Sequence, residues 1–180
     1  VRLVLDTCVL YPTAMRGLLM GAARLGVFQP LWSQRIMGEW YYAAARHGGT
    51  SAAMAEAEIA VLRDAWPGAE VPVKAGLEAR LSLPDPADVH VLAAAIASSA
   101  DGIVTMNAKD FPRNVLSEEG VIRIDPDALL MDALDHDPDG MRQIAEAVLA
   151  EANRLSGRSW EMRPLMKKAR LPRFGKALVS

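Results

Sequence analysis

A single cysteine, Cys8, stands in the 180-residue chain, so no internal disulfide and no cysteine-rich zinc site can form. The three histidines, His47, His90 and His136, share no ligand-like spacing, and none is placed to activate Cys8 as a nucleophile. A surface or packing role suffices for His90. There is no glycine-rich phosphate loop. No stretch approaches the ~20 apolar residues that span a bilayer. The opening VRLVLD already carries an acid where a secretory leader would be apolar. The expectation is a cytoplasmic protein with no membrane association.

Net charge is also scarce, at −2, and informative only when divided along the chain. Residues 154–180 hold eight basic side chains, Arg163, Lys167, Lys168, Arg170 and Arg173 among them, against Glu161 alone. That tail is +7 and the remainder −9. A cationic arm of this kind suits nucleic-acid phosphates, where each neutralised phosphate releases counterions. A solvated helix face or a dock for an acidic partner would show the same composition.

What is present is an α/β pattern of one substantial domain with an extension, 1–134 and 135–180, divided where Asp and Pro cluster between Asp135 and Pro138. Arg2–Asp6 reads as a buried strand ending on an acid. A helix follows from Pro12 to Leu25, and Val27–Trp32 is a minor strand. Ser33 caps a helix whose stripe Ile36, Trp40 and Ala44 leaves Glu39 on its border. A helix from Ser51 ends at Trp66-Pro67-Gly68. Pro84–Pro112 then runs through a helix, a strand Ile103–Thr105 and a polar loop. Val121–Ile124 is a further strand. Asp125-Pro126 and Asp137-Pro138 open two helices, the second stopped by Gly157, and a last basic helix runs from about Trp160 to Arg170 and ends at Pro172.

Four acids fall where strand ends and helix starts of such a sheet meet: Asp6, Glu39, Asp88 and Asp110. An all-oxygen set of this kind suits Mg²⁺ or Mn²⁺, which polarise a phosphoryl group and acidify water. Without a cation, two carboxylates ~5 Å apart repel by about 3 kcal/mol at an effective dielectric of about 20. Simpler roles exist for each acid. Asp85-Pro86 is an N-cap with proline in the first turn, and Asp88 could merely favour the positive helix end. Glu39 could pair with Arg35 one turn away, and Asp110 could form an Asx turn. Asp6 has the weakest such alternative, because an acid ending a buried strand needs a partner.

The segments LVLDTCVL, IMGEW, DPADVHVLAAAI and ADGIVTMNAKDFP, in this order over about residues 1–125, resemble the PIN-domain nucleases, and among them toxin ribonucleases of bacterial VapC type with a carboxyl-terminal extension. The resemblance implies a Rossmann-like parallel sheet flanked by helices, with Asp6, Glu39 and Asp88 as ligands of Mg²⁺ or Mn²⁺, directly or through water. It implies that Thr105 steadies the first acid, with Asp85 in a supporting position. Family members often carry an acid where this chain has Asn107, so either Asn107 or Asp110 fills the fourth position, around one metal or two. The implied activity is hydrolysis of RNA, in a homodimer neutralised by a cognate antitoxin. A housekeeping RNA- or DNA-processing nuclease, or an RNA- or partner-binding module with weakened catalysis, are the alternatives.

Overall fold

The computed structural model describes residues 1–180. In chain order its elements are β1 (Arg2–Leu5), α1 (Thr7–Leu10), α2 (Thr13–Arg24), β2 (Gln29–Leu31), α3 (Gln34–Ala45) and α4 (Gly49–Ala65). Then come α5 (Val89–Ala97), β3 (Gly102–Val104), α6 (Arg113–Glu118), β4 (Ile122–Ile124), α7 (Pro126–His136), α8 (Pro138–Ser156), α9 (Met162–Lys168) and α10 (Pro172–Leu178). No helix is long and apolar enough to cross a membrane.

The chain forms two compact units, Val1–Tyr11 with Gln29–Arg123, and Pro12–Phe28 with Ile124–Ser180. The first is built on a four-stranded parallel sheet, flanked by helices, in the order β2-β1-β3-β4. Its central strand β1 is buried along Leu3, Val4 and Leu5, as expected of a strand covered on both faces. Pro30, which cannot donate to a ladder, lies on the outermost strand β2. Beyond it, Trp32 bridges in parallel to Glu70. On the other side Leu5 is in register with Val104 of β3, and the Asp6 amide donates to the Val104 carbonyl at 3.1 Å. The register therefore sets Asp6 beside Thr105 at the carboxyl ends of two adjacent strands.

Helix boundaries follow local chemistry. Ser33 Oγ accepts from the Ile36 amide at 3.2 Å and opens α3. The apolar run Val91–Ala95 makes α5 buried nearly all round. Two short helices, α1 and α6, arise where the sequence shows only turns.

In the second unit α2 packs against α7 and α8. The approach to α8 is close: a Cβ added at Gly21 would lie 2.5 Å from Ile144 Cγ2. Asp125 and Asp137 cap α7 and α8 through the amides of Ala128 and Gly140, and Gly157, at φ +66°, ends α8. The single basic helix expected to end at Pro172 is instead two helices. Arg170 takes a left-handed φ of +65°, and Pro172 then opens α10, its fixed φ suiting a first helical turn. The buried Asp127 carboxylate accepts from the Arg173 and Phe174 amides at 3.0 and 2.9 Å, satisfying donors that a helix start leaves free.

Candidate active site

Asp6 is the fixed point of the acid cluster. It is 5% exposed, caps α1 by accepting from the Thr7 amide at 2.8 Å, and accepts from the Thr105 hydroxyl at 2.9 Å. Thr105 in turn accepts from the Asn107 amide at 3.1 Å. Cys8 Sγ stands 3.4 Å from Asp6 Oδ2 and accepts from the Met106 amide at 3.3 Å. Burial raises the Asp6 pKa against the lowering effect of the Thr105, Cys8 and Thr7 hydrogen bonds, and the Asp110 charge raises it further. The same burial, with Asp6 alongside, pushes the Cys8 thiol up to about 12, so it stays protonated and non-nucleophilic.

The remaining acids make no hydrogen bond to Asp6 and meet it through charge repulsion. Asp88 is pushed up to about 6 by burial, then by Asp6, Asp85 and Asp110. Glu39 is raised by burial and by the charge of Asp6, with Arg35 opposing and Asp88 adding. Asp6, Glu39 and Asp88 thus have raised pKa values at one end of the sheet, and the Asp110 charge reaches Asp6 and Asp88. Each is held there by its element: Asp88 at the start of α5, Glu39 on the border of α3, and Asp110 in a 3₁₀ turn, Ala108–Asp110. The Thr7 hydroxyl donates to the Ile36 carbonyl at 3.2 Å, fastening α1 to the helix that carries Glu39.

Asp88 stands at the N-cap position of α5, at the positive helix end, without a capping hydrogen bond, whereas Asp85 does cap, accepting from the Ala87 amide at 2.9 Å. Two other simpler roles do not survive. Arg35 forms its ion pair with Glu78, at 3.1 Å, and not with Glu39. Asp110 is half-buried and makes no Asx turn. Asn107 is exposed and touches the cluster through its main chain, while Asp110 bears directly on both Asp6 and Asp88.

Two residues near the site escaped the sequence. His90 is 3% exposed, with its Nε2 against Glu39 Oε1 but without hydrogen-bond geometry, and neither ring nitrogen has a hydrogen-bond partner. The adjacent carboxylate favours the charged ring and burial opposes it. Burial dominates, and with the Arg35 charge it lowers the pKa to about 4. The spacing Asp88-Val89-His90 carried the only hint, and it fits a packing role equally well. Arg123 of β4 donates to the carbonyls of Ala108 and Phe111 at 2.9 and 3.0 Å, pinning the turn that carries Asp110. No sequence signal short of strand register points to it.

The sequence pattern of the PIN domain matches residues 2–109, a span that contains Asp6, Glu39, Asp88, Thr105 and Asn107 and stops one residue short of Asp110. The chain belongs to the PIN domain family. PIN domains are in general nucleases acting on nucleic acids, and typically use divalent metals. No curated protein and no solved structure matches the chain. In this PIN domain the donor set is all oxygen and mutually repelling, which is the chemistry a hard dication suits. No three of its His, Cys, Asp or Glu side chains yet converge as a finished metal cage. Asp6 is fixed, Glu39 is exposed, and Asp88 and Asp110 are half-buried.

The five basic residues expected to meet RNA or a partner, Arg163, Lys167, Lys168, Arg170 and Arg173, are all exposed in the second unit. Lys168 is engaged over the Trp160 ring at 5.0 Å, beside Arg158 at 5.4 Å.

Proposed function

We propose that this PIN domain is a divalent-metal-dependent endoribonuclease whose site is Asp6, Glu39, Asp88 and Asp110. The observation that carries this is the gathering of carboxylates from separate elements: burial first raises Asp88, with Asp6, Asp85 and Asp110 adding to it, and burial first raises Glu39, with Asp6 and Asp88 adding and Arg35 opposing. A fold keeps such repulsion at little benefit unless a cation relieves it. Mg²⁺ or Mn²⁺ bound there would supply positive charge to a phosphodiester and acidify a water.

The protein's own part is placement. Thr105 holds Asp6 Oδ2 and the Thr7 amide holds Oδ1, so the carboxylate enters the reaction already oriented. Arg123 pins the turn that carries Asp110, whose charge reaches Asp6 and Asp88. Glu39 of α3 and Asp88 at the start of α5 would hold the ion from two different helices. The exposed cations of α9 and its flanks would grip the RNA backbone or an acidic partner.

The toxin role, with a homodimer neutralised by an antitoxin, is supported by the resemblance of the four segments to VapC-type ribonucleases and by the acidic body and basic tail. Purified chain incubated with structured and unstructured RNA should cut only with Mg²⁺ or Mn²⁺ and lose cleavage with chelator. Growth arrest on expression should disappear in Asp6→Asn. Absence of any ion-dependent cleavage would overturn the enzyme assignment. A housekeeping role would show as cleavage without toxicity.

A further inference from the structure

A cavity of about 210 Å³ opens in the first unit at the amino-terminal end of α3. It lies beside the acid cluster, because His90, part of its wall, abuts Glu39. At roughly two-thirds of the smallest volume usual for drug-sized ligands, it accommodates one ring system rather than a whole nucleotide. Its chemistry has three parts. Ser33, Gln34 and Arg35 begin α3, and the backbone amides of Gln34 and Arg35 have no acceptor, since Ser33 Oγ takes only that of Ile36. Val71 and Val73 supply an apolar wall. Glu78 offers a carboxylate of which Oε1 receives Arg35 Nη1 at 3.1 Å, leaving Oε2 without a partner.

An anion does not fit this lining, because Glu78 repels it and already neutralises Arg35. A neutral, flat ligand with a carbonyl beside ring N–H groups does. Its carbonyl oxygen would meet the free amides and its N–H groups the carboxylate, with the ring face against the valines. His90, 3% exposed, is a buried polar group of the same wall, its Nε2 against Glu39 Oε1 and its Nδ1 without a hydrogen-bond partner.

We infer that this cavity is a base-selecting pocket that takes guanine, and uracil more weakly, from the strand held at the acid cluster. Guanine presents N1–H and an N2 amino group to a carboxylate and O6 to donors. Uracil presents one N–H. Adenine and cytosine place a ring-nitrogen acceptor where the carboxylate stands, so they are refused. The pocket's place beside a cut strand rests on the nuclease assignment, but its ligand binding does not.

The test is titration of the full chain, without metal, by the 5′-monophosphates of guanosine, uridine, adenosine and cytidine to millimolar concentration, read from the methyl resonances of Val71 and Val73. Guanosine monophosphate should move both, uridine monophosphate less, and the other two neither. Glu78→Gln should weaken guanosine monophosphate about tenfold, since a charged hydrogen-bond acceptor is removed. Val73→Trp should abolish the response by filling the space. Equal shifts with all four nucleotides, or none with any, overturn the pocket whatever the cleavage assay shows. Selective shifts in a chain that never cuts RNA would uphold the pocket and remove the nuclease assignment alone.

Discussion

The Thr105 hydroxyl donates to Asp6 Oδ2 at 2.9 Å across 99 positions of sequence, joining the carboxyl ends of β1 and β3. Because Leu5 pairs with Val104, the next residue of each strand stands side by side, and one of the two is an acid that must be satisfied. Thr105→Val should therefore lower stability by about 1–3 kcal/mol, the cost of leaving a buried acceptor short of its donor. For a chain of this size that is roughly 2–4 °C in melting temperature per kcal/mol. Thr105→Ser should restore both melting temperature and ion-dependent cleavage, and a valine variant with unchanged melting would show that the bond carries nothing.

Asp88 and His90 should oppose one another in the acid range of the metal-free protein. The Asp88 pKa is raised from 3.8 to about 6, so the folded state binds the extra proton and stability rises as pH falls through that window. The His90 pKa is lowered from 6.5 to about 4, so the unfolded state binds the extra proton and stability falls as pH drops from 6.5 to 4. Melting of Asp88→Asn should decline toward pH 4 more steeply than wild type, and melting of His90→Gln should improve from pH 7 to 4. Parallel profiles in all three proteins would refute the opposed titrations. At neutral pH, Asp88→Asn should melt no lower than wild type, since repulsion is relieved and no cap is removed.

How much of this was visible beforehand depends on the range of the cause. Asp85, Ser33, Asp125 and Asp137 declare themselves as caps because a cap needs only neighbours two or three residues away. The parallel sheet with a buried first strand follows from its apolar run, and Gly157 from its fit to a left-handed helix end. The break at Arg170 and the start of α10 were not legible, because the carboxylate that captures the amides of Arg173 and Phe174 is Asp127, more than forty residues earlier. The acids of the site could be named individually, but whether Asn107 or Asp110 faces them depends on a turn pinned by Arg123 from another strand. His90 went unrecognised because its meeting with Glu39 depends on how α3 and α5 come together.

Cys8 should resist alkylation in the native protein. With its thiol pushed up to about 12 by burial and by Asp6, almost none is thiolate at pH 8. Iodoacetamide modification followed by mass spectrometry should be slow until denaturant is added, and rapid native labelling would contradict the placement of Asp6 beside it.

The basic tail should act through phosphate charge. Arg163→Ala with Lys167→Ala should weaken single-stranded RNA of every sequence alike and reduce the slope of log affinity against log salt by about 0.7 for each phosphate no longer neutralised. Lys168 is the poorer choice, since its ammonium already lies over Trp160. An unchanged salt slope would assign these side chains to a protein partner instead.

The central claim is that carboxylates from separate elements of this PIN domain share one divalent cation. Titration of Mn²⁺ followed by electron paramagnetic resonance addresses it without depending on any substrate. Wild type and Asp85→Asn should bind alike, because Asp85 is a cap, while Asp6→Asn and Asp88→Asn should each bind at least about tenfold more weakly. Binding that survives both of those substitutions unchanged would contradict the account.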